Sequence, residues 1–286
     1  MILGGAQLAV GAAAIFARYA LTAAAPLAVA AARLCIAAAV LLTIALVARE
    51  RASTPTPAQR LTLIAAGAVL AAHFATWIAS LDYTTVAIST LLVSTSPLFT
   101  TLYDAVVRRR RFPLVVPLAF ITGVAGLLMI TRANHSPAPH PGHAMVGALL
   151  ALTGAAAFAA YLLLVREVRA DLSTRAIVTT TYTAAAIVLV ILALLAHQPP
   201  PPVHAYAAWG GILAMALISQ LLGHTGMNAA LRWFSPTAIS FSTLLEPVIA
   251  AALALVLFGE TLSGLALAGA LLLLGSIGTV LWIAPD

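Results

Sequence analysis

Glu246 stands directly before Pro247 in the middle of an apolar run. A carboxyl placed there can hold a proton or a substrate ammonium, and a proline within a helix removes a hydrogen bond and frees a carbonyl beside it. The competing reading is a structural pair with Arg33, which also lies inside an apolar run. His73 and Trp77 are four residues apart, hence on one helical face. An imidazole beside an indole can recognise a carboxylate or a ring, or act as a gate; a buried histidine satisfied by a backbone carbonyl would look the same. Phe16 and Tyr19 share their i, i+3 spacing with Phe158 and Tyr161. Facing one another across a cavity, these four would present aromatic edges and two hydroxyls. A mostly apolar site with few fixed polar groups suits a neutral metabolite; the alternative is aromatic packing between helices.

Hydroxyls cluster between 87 and 107 as Thr90, Ser94, Thr95, Ser96, Thr100, Thr101 and Tyr103. Ser94, Pro97 and Thr101 fall on one stripe, a candidate cavity wall, although Ser and Thr also bond their own helix or bridge helices. Gln220 and His224 are i, i+4 and are expected to share a face, with Ser219 and Asn228 close by. Thr179, Thr180, Thr181, Tyr182 and Thr183 read as glue between helices. The candidate substrate-binding set is therefore Phe16, Tyr19, His73, Trp77, Ser94, Thr101, Phe158, Tyr161, Gln220, His224 and Glu246. No catalytic group and no metal or cofactor site is expected.

Only long apolar helices could position these groups. Of 286 residues, 63% are hydrophobic and 8% charged, where a soluble domain carries about 25% charged residues. Mean hydropathy is +1.07. A bilayer core needs about 20 apolar residues in a helix, and ten such segments are predicted: 3–21, 26–48, 61–80, 87–107, 113–130, 145–165, 174–196, 206–228, 237–258 and 263–283. The runs are continuous and Ala/Leu-rich rather than alternating, which excludes a β-barrel. The first begins at Ile2 without a charged flank and reads as a span, not a cleavable leader. Proline marks the connections 49–59, 132–142 and 197–204.

All 14 basic residues are arginines. Apart from Arg33, inside the second run, they lie at or between the ends of the apolar runs, as cytoplasmic flanks do, so the net charge of +6 is not read as nucleic-acid binding. With ten spans, one side holds Arg49, Arg51, Arg60, Arg108, Arg109, Arg110, Arg111, Arg166, Arg169, Arg175 and Arg232, and the other Arg18 and Arg132. Both termini are then expected in the cytoplasm, with Arg108–Arg111 against anionic lipid. Asp104 and Arg108 are expected to pair at i, i+4. His135, His140 and His143 have no ligand geometry from their proline-rich spacing. Asn134-His135-Ser136 is a glycosylation sequon that matters only on a secretory route. A lone Cys35 allows no intrachain disulfide.

The two halves repeat. Residues 5–21 align with 147–163, matching Phe16 to Phe158 and Tyr19 to Tyr161; Leu81 aligns with Leu231 and Pro97 with Pro247; Gly123 and Gly126 align with Gly275 and Gly278. A repeated unit of five spans must enter the membrane from opposite sides. The expectation is an all-α integral membrane protein of ten transmembrane helices in two inverted five-helix repeats: 1–131, an outer linker 132–144, and 145–286. Inverted repeats are typical of secondary transporters, with the substrate near the midplane where the repeats meet.

The stretch Ala229-Ala230-Leu231-Arg232-Trp233-Phe234-Ser235-Pro236-Thr237-Ala238, then Leu245-Glu246-Pro247-Val248, Phe258-Gly259-Glu260 and the run Gly269 to Gly275 resemble the EamA family of the drug/metabolite transporter superfamily. The first half departs from this pattern: Ser96 stands where the second copy has Glu246, and arginines replace the Gly-Glu pair. The resemblance implies ten helices, cytoplasmic termini, and a central cavity lined by helices 1, 3, 4, 6, 8 and 9, with helices 5 and 10 apart. It also implies export of small metabolites, the YddG-type exporters of aromatic and neutral amino acids being most similar, or else of drugs. An intramembrane enzyme would need a paired aspartate, a His-Glu-x-x-His or a Ser/His motif, and the sequence has none. A passive channel is the remaining alternative. The expected partners are a small-molecule substrate and the bilayer of a bacterial inner membrane, with monomer or homodimer left open.

Overall fold

The computed structural model describes residues 2–47, 54–109, 111, 113–133, 142–234 and 236–283. The expected roles of Arg49, Arg51, Arg110, the sequon at Asn134, His135 and His140 fall outside them. Within them the regular structure is helical throughout: α1 (Ile2–Gly11), α2 (Ala13–Ala20), α3 (Pro26–Val47), α4 (Pro57–Ser80), α5 (Val86–Val93), α6 (Ser96–Val106), α7 (Val115–Ala133), α8 (Ala144–Val168), α9 (Thr174–Leu195), α10 (Tyr206–Ala214), a π-helical segment (Met215–His224), α11 (Thr225–Ala230), α12 (Pro236–Ser242), α13 (Leu245–Phe258) and α14 (Gly264–Ile283). Helices satisfy their own backbone groups, which a chain surrounded by lipid requires.

Seven helical stretches are long and apolar enough to cross a membrane: Ile2–Ala20, Pro26–Val47, Pro57–Ser80, Val86–Val106, Ala144–Val168, Thr174–Leu195 and Tyr206–Ala230. Val115–Ile130, Leu245–Phe258 and Gly264–Ser276 are shorter apolar helices. Local chemistry sets several ends. Thr56 and Gln59 form a reciprocal capping box with Pro57 in the first turn of α4, and Thr85 and Ser173 cap α5 and α9. Gly259, at φ 66°, closes α13 in the left-handed region that favours glycine.

Three of the expected continuous helices are interrupted. The first stretch breaks at Ala12, the fourth at Ser94–Thr95 and the ninth at Thr243–Leu244. The last two breaks are repeat-related: Ser96-Pro97 opens α6, and Leu245-Glu246-Pro247 opens α13. This corrects the reading of these prolines as mid-helix disruptors. Each sits in a first turn, where its missing N–H has no intrahelical acceptor to lose.

The packing pattern supports two related halves. α4 lies against α8, and the counterpart contacts join α1 and α2 to α10 and the π-helical segment. α3 pairs with its counterpart α9 and α7 with α14, while α5 meets α13 and, correspondingly, α12 meets α6. Exchanging the halves maps this set onto itself. The α7–α14 pair stands apart, joined by Ser276 donating to the Ala119 carbonyl. Gly123 and Gly126 face α14, whereas the repeat-related Gly275 and Gly278 border open space.

Candidate functional site

The two repeat-related breaks flank a buried cavity of about 20 Å³. Its walls come from both halves: Val10, Ala13, His73, Trp77, Val93, Ser94 and Ser96 from the first, and Phe158, His224, Thr243 and Glu246 from the second. These are the first, third, fourth, sixth, eighth and ninth apolar stretches. The volume admits a water molecule and is far below the roughly 300 Å³ of a pocket that surrounds a metabolite.

Four rings, those of His73, Trp77, Phe158 and His224, stand together in the wall. The His73 and Trp77 rings are parallel within 5°, centroids 6.2 Å apart. His73 is 5.1 Å from Phe158 and 6.1 Å from His224, and Phe158 meets His224 edge-on at 5.7 Å. His73 Nδ1 lies 2.9 Å from the Gly154 carbonyl of the other half. A carbonyl only accepts, so Nδ1 carries the proton and the imidazole is held against α8. Thr243 Oγ1 donates to the Ser240 carbonyl at 2.6 Å, whereas Trp77 Nε1, Ser94 Oγ, Ser96 Oγ and His224 Nδ1 are buried with no hydrogen-bond partner within the protein. Such groups are normally satisfied in a finished core.

Polar contacts, most of them between the halves, lie on either side of the cavity along the first stretch. Gln7 and Arg18 lie on either side of Val10 and Ala13 along the first stretch. Gln7 Nε2 donates to Ser242 Oγ at 2.7 Å and to Met227 Sδ at 3.3 Å. At the opposite end Arg18 Nη2 is 3.6 Å from Glu260 Oε1, and Arg18 Nη1 donates to the Leu81 carbonyl at 3.2 Å. Glu260 Oε2 also accepts the Val86 N–H at 2.9 Å. Burial pushes the Glu260 carboxyl above its usual value; Arg18 and the N–H groups of Val86 and Ala87 pull it partly back.

Six of the expected site residues meet at the cavity: His73, Trp77, Ser94, Phe158, His224 and Glu246. Five do not. Tyr19 is 39% exposed and packs on Phe258, and Phe16 turns with it. The break at Ala12 separates α1 from α2, and α2 lies against α10, so the four aromatics do not face one another. Tyr161 is buried beside Phe158 and donates to Asn228 Oδ1 at 2.9 Å. Thr101 donates to the Pro97 carbonyl at 2.9 Å, which the start of α6 places one turn back. Gln220 is buried away from the cavity, beside the Tyr182 hydroxyl without a bond of good geometry. In a π-helical segment bonds run i to i+5, so residues four apart no longer stack as they do in an α-helix.

Other expectations are corrected or met in detail. Glu246 forms no ion pair with Arg33; among the described residues the pairs are Arg18–Glu260 and Asp104–Arg108, the latter at 3.4 Å. Thr180 and Thr181 bond carbonyls of their own helix rather than a neighbour, and Tyr182 is the group that reaches across, to Thr225 at 3.3 Å. Sequence reasoning missed Ser96 and Thr243 as lining residues. The repeat carried the signal for Ser96, which occupies the position of Glu246.

The sequence model described as "EamA-like transporter family" matches residues 1–132 and 145–282. No curated protein matches. Among solved structures, one titled only "Crystal structure of protein" is similar with a TM-score of 0.68 at 17% identity, over 99% of this chain and 96% of the other. That likeness concerns the fold.

Proposed function

The chain belongs to the EamA-like transporter family and is a multi-pass membrane protein; from that premise we propose that it exports small neutral metabolites, above all amino acids, by alternating access between two inverted five-helix repeats. In this reading the three shorter apolar helices also span the bilayer, giving ten crossings in a bacterial inner membrane. The arginine-rich loops and both termini face the cytoplasm.

The observation that carries the proposal is the position of the cavity. It lies where two repeat-related helices break, and both halves supply its walls. Broken helices at a repeat interface are the usual place for a transport site, because backbone and polar side chains can face a solute there without facing lipid. Rings around a few unengaged polar groups suit an amphipathic, uncharged or zwitterionic molecule. One half-set of bonds, Gln7 to Ser242 and Met227, closes one end; the other, Arg18 and Val86 to Glu260, closes the opposite end. Releasing one set at a time exposes the cavity to one side at a time.

Counterflow in proteoliposomes tests this. Vesicles loaded with single unlabelled amino acids should take up the labelled compound above empty-liposome controls, with neutral and aromatic members strongest. A flat amino-acid panel from folded protein, with exchange of drug-like cations or other metabolites instead, would overturn the substrate assignment.

A further inference from the structure

Arg33, on α3, is fully buried at 0% exposure. Its Nε, Nη1 and Nη2 have no hydrogen-bond partner within the protein, and it takes part in neither ion pair found among the described residues. Its guanidinium carbon lies 4.0 Å from the centre of the Phe74 ring and 6.0 Å from that of Trp77. A ring face attracts the charge but leaves the N–H donors of the fork unmet. A cation inside a membrane-spanning helix without an anion is costly, and such residues mark a pathway or a partner.

The surroundings say which partner. Trp77 adjoins both, since it lies 6.0 Å from the guanidinium carbon and is itself a cavity wall. The cavity is too small for a metabolite, so a bound solute must displace a wall. Displacing Trp77 opens the space toward the guanidinium. Glu246, an acidic group buried in the bundle, lines the same cavity and has no ion pair either. A basic and an acidic group, each unpaired and both served by one cavity, fit a molecule carrying both charges.

We propose that Arg33 is the carboxylate-binding group of the transport site and that the substrate is an α-amino acid held as a zwitterion. Its carboxylate lies on the guanidinium fork, whose paired donors match two carboxylate oxygens. Its ammonium lies on Glu246, and its side chain lies against Phe158. This rests on the transporter reading above and adds to it the group that selects for the acid.

The test uses the full chain in proteoliposomes with phenylalanine, phenylalaninamide and phenethylamine as probes. Wild-type protein should exchange phenylalanine at least tenfold faster than the amide or the amine. Arg33→Met should lose phenylalanine exchange tenfold or more, and with it the preference for acid over amide. Equal exchange of acid and amide by wild type, or full phenylalanine exchange by Arg33→Met, would overturn the proposal while leaving a transporter in place. Should Arg33→Met fail to fold in a detergent melt, the wild-type comparison of acid with amide decides alone. No exchange of any of the three probes by folded wild-type protein would remove the amino-acid reading and this inference with it.

Discussion

At Tyr161 one hydroxyl ties α8 to α11 through Asn228, while Asn228 Nδ2 also donates to the His224 carbonyl at 2.8 Å. Tyr161→Phe leaves a buried amide oxygen without its donor, a loss of about 1–2 kcal/mol; a lower Tm in detergent than wild type measures it. Trp77 and Phe158 are different in kind, since their rings bound the cavity itself. Trp77→Ala and Phe158→Ala are expected to lower counterflow at least tenfold. Ile187→Ala, at a side chain 57% exposed on the outside of the bundle, should leave it within twofold; equal losses in all three would remove the site assignment. Residue spacing revealed the His73 and Trp77 face because α4 is an unbroken α-helix. It misplaced Gln220, because nothing in the local sequence announces a ten-residue π-helical segment, and it misplaced Tyr19, because the single glycine before the turn at Ala12, Gly11, looks like any small residue in an Ala-rich span.

Among the elements, α4 and α9 approach most closely at Gly67. A Cβ there would stand 2.6 Å from both the Ala184 Cβ and the Thr181 carbonyl oxygen. Gly67→Val must push two helices apart, and overpacking of this sort destabilises by about 1–3 kcal/mol; the expected readout is a lowered Tm. The turn after α13 makes a second prediction. Burial raises the Glu260 carboxyl above its ordinary 4.5, so the folded protein holds that proton more tightly than the unfolded chain. The contribution of this group to stability is then complete below pH 4.5 and is lost as pH rises through the raised value. Wild type should lose more Tm from pH 4.5 upward than Glu260→Gln does, and parallel Tm profiles for the two would contradict it.

For the molecule as a whole, bonds between the halves lie on either side of the cavity, and the two sets differ chemically. One is a neutral amide–hydroxyl contact from Gln7, the other an ion pair with two further hydrogen bonds around Arg18 and Glu260. Releasing either should bias the population toward the side it guards. With Cys35 replaced by serine, a cysteine at Ser94 reports access to the cavity. Gln7→Ala should speed its labelling by a membrane-impermeant thiol reagent from the cytoplasmic side, and Glu260→Gln from the opposite side. Unchanged or reversed sidedness would show that these bonds do not gate the site.

Composition and the length of the apolar runs determined by themselves that the chain is helical and built for lipid, because 8% charged residues cannot cover a soluble surface. The Pro97/Pro247 register likewise related the halves before any coordinates, since a duplicated backbone feature leaves its residues in step. Glu246, His73 and Trp77 stood out for the same energetic reason: a polar group inside an apolar run must find something polar to face. Which of them face one another was decided in three dimensions. The breaks at 94–95 and 243–244 re-aim the helices that carry the cavity, and Arg33 lies against the rings of Phe74 and Trp77 rather than pairing with Glu246. Those outcomes depend on how helices distant in sequence pack, and side-chain spacing within one helix does not encode its rotation against another.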